Sequence, residues 1–363
     1  MTHALFDRSK LKVLPLAARE NQLSAEKVMI RPEQALARKG KLGAVGVSIS
    51  RAAERIARAR KAGAPVVLAF GAHAIKNGLG PVMAALAEEG WVTHFATNGA
   101  GSIHDWEFAF LGATGEDVRA NVATGSFGLW DETGRLISLA VALGALEAQG
   151  YGESVGALVE TERLVVPRKP AGDAAVVAEL AEVASAARLK PGTHRVPHRW
   201  KAFSLQAACF RLGIPFTVHP GIGYDIIYTH PAASGAVFGR AGYRDFLEFA
   251  ESVRNLSGGV YLSVGSAVMS PMIFEKALSM AQNVALAKGK PVAGHSIYVV
   301  DIAPPPSAST HDWRAGEPPP EDPGYYLRYC KTFSRMGGEM EYLPLDNRDF
   351  IAGLYRELHG RAL

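Results

Sequence analysis

Residues 66–105, VVLAFGAHAIKNGLGPVMAALAEEGWVTHFATNGAGSIHD, constrain the fold more than any other stretch of this 363-residue chain. Val66 to Phe70 is apolar and β-rich, and too short for a helix. A turn carrying Gly71, Gly78 and Gly80 follows, and Pro81 stands where a first helical turn tolerates proline. Val82, Met83, Leu86 and Ala87 recur at helical spacing until Gly90 ends the run. Trp91 to Thr97 is again apolar and β-rich and closes in Asn98-Gly99-Ala100-Gly101. The pattern predicts strand, turn, helix, strand, a crossover unit of a parallel sheet.

In open parallel sheets, ligands sit off the carboxyl ends of the strands, where glycines let phosphates approach backbone N–H groups. Both glycine turns fall at such ends. Their spacing is G-x₆-G-x-G rather than G-x-G-x-x-G, with no acidic residue usefully placed about twenty positions on. The residues alone fit a nucleotide site or glycines that only permit tight turns.

The same stretch resembles the deoxyhypusine synthase family. That family reads strand, T-S-N-x-x-x-S-G, helix, strand, then T-T-A-G-G-x-x-E-D. Here the corresponding positions are Gly71-Ala72-His73, Asn77-Gly78, and Thr97-Asn98-Gly99-Ala100-Gly101 through His104-Asp105. The resemblance implies that Ala72, His73, Asn77, Asn98 and Gly99 contact NAD. His104 replaces the acid that lies near the family's reacting centre, which keeps a proton-moving group there but argues against an unchanged reaction.

A hydrophobic content of 48% supports a sizeable core, and nothing in the composition suggests disorder. No apolar run has the length of a membrane span, and MTHALFDRSK lacks the apolar core of a signal peptide, so the expected setting is cytoplasmic. Cys209 and Cys330 are too few for a disulfide framework and have no C-x-x-C spacing. The net charge of +4 is spread over the chain, and the densest basic segment, Arg51 to Lys61, has the alanines and Ile56 of an amphipathic helix, which argues against a nucleic-acid partner.

Other motifs carry bland readings. Gly125-Ser126-Phe127-Gly128 is a turn or a site-lining loop. Gly152-Glu153-Ser154-Val155-Gly156 matches the nucleophile-elbow pattern but follows a helix and a turn instead of a strand. His194 and His198 have the spacing of metal ligands on a helix, and Pro197 between them opposes a helix. Residues 1–44 carry no legible chemistry and read as an arm that packs on the domain or on a neighbouring subunit. The proline-rich stretch APPPSASTHDWRAGEPPPEDPG is too long for a bare connector and reads as a cover for a site, a bridge between subunits, or a disordered insertion.

The family resemblance continues downstream. Gly213 through His230 looks like I-P-V-F-x-P-x-x-T-D-G-S-L-G-D-M-I-x-x-H, in which Asp225 matches an aspartate that engages a polyamine nitrogen, although Asp225 also suits the cap of a following helix. Gly265 and Ser266 stand at the family's glycine run, but Met269-Ser270-Pro271-Met272 replaces its histidine pair. Asp301 ends a strand and suits a ribose hydroxyl or a solvated carboxylate, and Asp346 matches a cofactor-contacting aspartate. Tyr325 through Lys331 resembles E-A-V-S-W-G-K, so Lys331 matches a lysine that forms a covalent imine, although it also suits a surface lysine beside a terminal helix. Tyr325 and Tyr329, standing for the glutamate and tryptophan, would line the substrate pocket.

The reading is therefore a Rossmann-like α/β domain, a parallel sheet flanked by helices, over residues 45–363 behind the arm 1–44. By resemblance it binds NAD and acts on an amine-bearing small molecule such as a polyamine, by hydride transfer with imine formation on Lys331, as a homo-oligomer of tetrameric form. His104 and Asp225 join Lys331 as catalytic candidates, and no metal is expected. A non-catalytic nucleotide-binding scaffold is the alternative, and a metal hydrolase using His104, Asp105, His219 and His230 is a third.

Overall fold

Val66–Phe70 (β1) is buried along its whole length and forms the middle of a six-stranded sheet. The computed structural model describes residues 3–38, 45–303 and 311–363. The other strands are His94–Thr97 (β2), Phe216–Val218 (β3), Val260–Val264 (β4), Ser296–Asp301 (β5) and Glu339–Pro344 (β6). Every pairing is parallel, with Phe70 beside Thr97 and Val264, Thr97 beside Val218, Val264 beside Val300, and Asp301 beside Pro344. All six carboxyl ends therefore share one edge.

Read from β3, the strand order is 3-2-1-4-5-6. The chain builds outward from β1 to β3, returns to the middle, and builds outward again from β4 to β6. This is the doubly wound, Rossmann-like order, whose switch point lies between β1 and β4. The apolar runs without alternation follow from burial on both faces. Val66, Leu68 and Phe70 point into one core and Val67 and Ala69 into the other.

Helix Val45–Lys61 (α1) covers the first face together with Gly80–Glu88 (α2) and Asn347–Leu358 (α7). Ile49, Ala52, Ala53, Ile56 and Ala59 are its buried stripe, while Arg51 and Arg55 pair with Glu341 and Glu339 of β6. Of the basic cluster, Arg58 and Lys61 face solvent, while Arg60 donates to the carbonyls of Gly90 and Ala64. Gly235–Arg254 (α4), Met269–Leu286 (α5) and Arg328–Ser334 (α6) cover the other face around Phe249, Phe274 and Phe333. No helix among the described residues is long and apolar enough to cross a membrane.

Between β2 and β3 lies a mostly helical insertion, headed by Gly99–Leu111 (α3) and including Asp131–Gly144, Tyr151–Thr161, Ala174–Ala186 and Leu205–Leu212. The Gly152–Gly156 motif lies inside one of these helices, and Ser154 spends its hydroxyl on the Gly150 carbonyl, so it forms no nucleophile elbow. The amino-terminal segment packs along this insertion. Leu23–Ser24 pairs antiparallel with Ala113–Thr114, and Arg8 donates to the carbonyls of Tyr228, His230 and Ala233. Of the proline-rich stretch, residues 304–310 lie outside the described residues, and Trp313 beyond them is buried in the second core.

Candidate functional site

The carboxyl edge of the sheet collects the residues expected to meet a cofactor. β1 ends in Gly71, Ala72 and His73, β2 in Asn98 and Gly99, β4 in Gly265 and Ser266, β5 in Asp301, and β6 runs into Asp346. At the switch point Gly71 and Gly265 touch, and a Cβ on Gly71 would lie 2.1 Å from the Gly265 carbonyl oxygen. Gly265 is left-handed, with φ +58°, and the nearest atom to its own missing Cβ is Asn347 Nδ2 at 3.9 Å. Asn77 donates to the Asn347 side-chain oxygen at 2.8 Å, tying the turn after β1 to the start of α7. Asp301 accepts the N–H of Ala303 at 3.0 Å. Two glycine-bearing strand ends at the switch point, with a carboxylate on the next strand, are the arrangement at which doubly wound sheets take dinucleotides.

The long helices at this edge are capped by their own side chains. Asn98 accepts from Gly101 N–H at the start of α3, Ser266 accepts from Ser270 N–H in α5, and Asp346 caps α7 while pairing with Arg348. Arg348 holds the Asp346 carboxyl below its usual range. An anion here would meet the backbone of the glycine turns, since the helix termini already hold oxygen acceptors.

Off the ends of β2 and β3 lies a cavity of about 410 Å³ that brings His104 and Asp225 together. Lys76, Glu116, Phe127 and Tyr224 also line it. Phe127 and Gly128 place the Gly125–Gly128 turn at its rim, so that segment both turns the chain and lines the cavity. Asp225 is 5% exposed and accepts backbone N–H groups of Gly221, Ala100 and Gly99. It thereby caps α3, a helix far upstream, instead of the short turn that follows it. Burial raises the Asp225 carboxyl above its usual range, against the pull of those N–H groups. A carboxylate has about four acceptor sites, so these N–H groups leave room for a ligand.

His104 lies on the inward face of α3, and burial lowers its pKa to about 4. Its Nδ1 is 2.8 Å from the Thr114 hydroxyl, which donates to Glu107. Glu107 is bound by both terminal nitrogens of Arg19, at 2.8 and 2.7 Å, and accepts from Thr133 at 2.9 Å. The Arg19 guanidinium stands 5.6 Å over the Trp130 ring. Arg19, Glu107, Thr114 and Thr133 were not singled out by the sequence reading. One signal was present, because Glu107 interrupts the apolar run Trp106 to Leu111, and a carboxylate carried into a core needs a partner.

Lys331 does not line this cavity. It lies in α6, with Nζ 3.5 Å from Glu317 and 3.2 Å from the Tyr325 ring centroid. Tyr329 is half-buried, its hydroxyl 3.2 Å from that of Tyr342. Asp105, His219 and His230 are likewise apart in role. Asp105 accepts from Ser204, Leu205 and Gln206 at the start of Leu205–Leu212, His219 shares the Thr217 hydroxyl with His94, and His230 accepts from Ala232 N–H. Among the described residues no group of three or more histidine, cysteine or acidic side chains is arranged to hold a metal. His194 and His198 each bond a backbone carbonyl.

No model of a known protein family matches the chain, and no curated protein does. In structure it is similar to unliganded AgrE, with 16% identity, a TM-score of 0.47, and coverage of 88% of this chain and 34% of that one. It is also similar to AgrE in ternary complex with ornithine and NAD+, with 15% identity, a TM-score of 0.45, and coverage of 88% and 34%. A third similar structure is a conserved LOR/SDH protein from Methanococcus maripaludis S2, with 15% identity, a TM-score of 0.45, and coverage of 91% and 73%. The chain spans about a third of the length of the AgrE chains it matches.

Proposed function

We propose that this chain binds NAD at the switch point between β1 and β4 and oxidises an amine-bearing small molecule held in the adjoining cavity. The observation that carries the reading is the reversal of strand order at Gly71 and Gly265, on the same carboxyl edge as a cavity furnished with His104 and Asp225. Gly71, Ala72, Gly265 and Ser266 would flank the cofactor, with Asp301 toward a ribose and His73, Asn77, Asn98, Gly99 and Asp346 around the crevice. NAD, when bound, supplies an acceptor for the hydride on the carbon that carries the amine.

The chain's own residues prepare that amine. Burial raises the proton affinity of Asp225, and the same surroundings lower that of an ammonium brought beside it. The two approach each other, so the carboxylate orients the nitrogen and eases removal of its proton. His104, uncharged at neutral pH, adds a hydrogen-bond acceptor on the facing wall. Covalent capture on Lys331 is a finer form of this reading. It requires the amine to leave Glu317 and the oxidised substrate to reach Lys331 from a cavity that Lys331 does not line, with Tyr325 and Tyr329 as its aromatic surroundings.

Calorimetric titration with NAD and NADP tests the reading, and absence of binding by either at millimolar concentration would remove it. The assembly belongs to the same proposal: a homo-oligomer of four chains, checked by light scattering, for which a 38.7 kDa particle would be the contrary result.

A further inference from the structure

Counting protons around Glu107 assigns the tautomer of His104. Glu107 receives four donors: both terminal nitrogens of Arg19, the Thr133 hydroxyl and the Thr114 hydroxyl. A carboxylate only accepts, and at about four sites, so these donors fill it. Its side chain is 1% exposed and its guanidinium partner 3%, and the two stand in the cavity wall as a bidentate fork. Thr114, which is fully buried, has a single hydroxyl proton and gives it to Glu107. Toward His104 Nδ1, 2.8 Å away, the Thr114 oxygen can then only accept.

We infer that Thr114 and Glu107 are positioning residues that lock His104 as the Nδ1–H tautomer, so that the cavity meets a bare Nε2 lone pair and this wall selects a hydrogen-bond donor such as an amine N–H. Glu107 itself has no site left for a ligand, and it acts through Thr114. The selection is against acceptors as much as for donors. A carbonyl or carboxylate oxygen facing Nε2 would set two lone pairs against each other in a buried place, whereas an amine satisfies the site. Of the charged groups in the same cavity, Asp225 reinforces the preference and Lys76 opposes it.

The choice of an amine rests on the proposed function, whereas the tautomer does not, and the test separates them. Imidazole nitrogen NMR of the full-length ¹⁵N-labelled protein near pH 7, with His104 assigned through His104→Gln, is expected to show a protonated Nδ1 and an unprotonated Nε2. Thr114→Val removes the acceptor and should move His104 toward the other tautomer, while Thr114→Ser should keep the original one. With NAD and 1,4-diaminobutane as probe, Thr114→Val should weaken diamine binding about tenfold and Thr114→Ser less than about twofold. An Nε2–H signal in the unmodified protein overturns the inference, as does an unchanged tautomer in Thr114→Val. If the unmodified protein fails to bind the diamine while the NMR result holds, the amine reading falls and the positioning role of Thr114 and Glu107 stands.

Discussion

Gly71 and Gly265 meet at the switch point so closely that a methyl group on Gly71 would stand 2.1 Å from the Gly265 carbonyl oxygen. Backbone on both sides leaves no flexible side chain to move aside. Gly71→Ala must therefore part β1 from β4 at the edge where NAD is proposed to lie. The expected stability loss is about 1–3 kcal/mol, read as a lower urea midpoint, with a loss of NAD binding at temperatures where the variant is still folded. A variant that binds NAD like the parent would move the cofactor away from this crevice.

The Arg19–Glu107 pair predicts a different pattern of loss. Arg19→Met leaves Glu107 buried without its cation and should cost about 3–5 kcal/mol, because the desolvated carboxylate loses its compensation. Replacing both, as Arg19→Met with Glu107→Leu, should cost much less than the sum of the single changes. Urea unfolding of the two single variants and the double variant measures the difference. Additive losses would show that the two groups do not depend on each other.

The contrast between these pairs marks what the chain discloses before folding. The strands β1, β2, β4 and β5 are legible because their apolar runs are buried on both faces and bounded by glycine or proline. With them comes the edge that gathers Gly71, Asn98, Gly265 and Asp301. Arg19 is not legible, since it lies in an arm without periodicity and meets Glu107 only after the arm pairs with Ala113–Thr114. Thr114 is equally silent, because a hydroxyl advertises nothing until its donor and acceptor directions are fixed in space. The family resemblance aligned Asp225 and His104, and the fold puts both on one cavity, but it places Lys331 beside Glu317, a partner outside the motif that suggested it.

Asp225 should separate substrate binding from cofactor binding. Asp225→Asn removes the charge that faces the amine but keeps the size of the side chain near Gly99 and Gly221. Diamine affinity in the presence of NAD should fall on the order of 10- to 100-fold, the scale of a hydrogen bond to a charged group. NAD titration should change less than about twofold. Equal losses for both ligands would assign Asp225 to capping α3 alone.

Buried histidines give a pH dependence of defined sign. Burial lowers His94 from 6.5 to about 3. Between those values the unfolded chain binds a proton that the folded chain refuses, so the contribution of His94 to stability is present above about pH 6.5 and is lost as the pH falls. Asp245, which burial raises well above 3.8, has the opposite slope, so the histidine is read by difference. In His94→Asn the dependence of unfolding free energy on pH, between about pH 6 and pH 4, should be shallower by about 1.4 kcal/mol per unit. Parallel curves for parent and variant would show that His94 is protonated inside the fold.

Lys331 supplies the sharpest test of covalent chemistry. An imine on Lys331 forms only when its uncharged amine attacks the oxidised substrate carbon and the substrate nitrogen leaves as ammonia, and Lys331 lies between a carboxylate 3.5 Å away and the face of Tyr325, both of which suit an ammonium. Capture therefore depends on release from Glu317. With NAD, 1,4-diaminobutane and borohydride, the parent should accumulate a reduced adduct that mass spectrometry places on Lys331. Lys331→Ala should lose the adduct while binding NAD as before, and Glu317→Gln, which frees the amine from its carboxylate, should raise the yield. An adduct that survives in Lys331→Ala assigns the nucleophile to another lysine, with Lys76 on the cavity wall the first to replace. No adduct in any of the three, with turnover intact, leaves an imine that is never attached to the protein and a Lys331 that serves to hold α6 against Glu317.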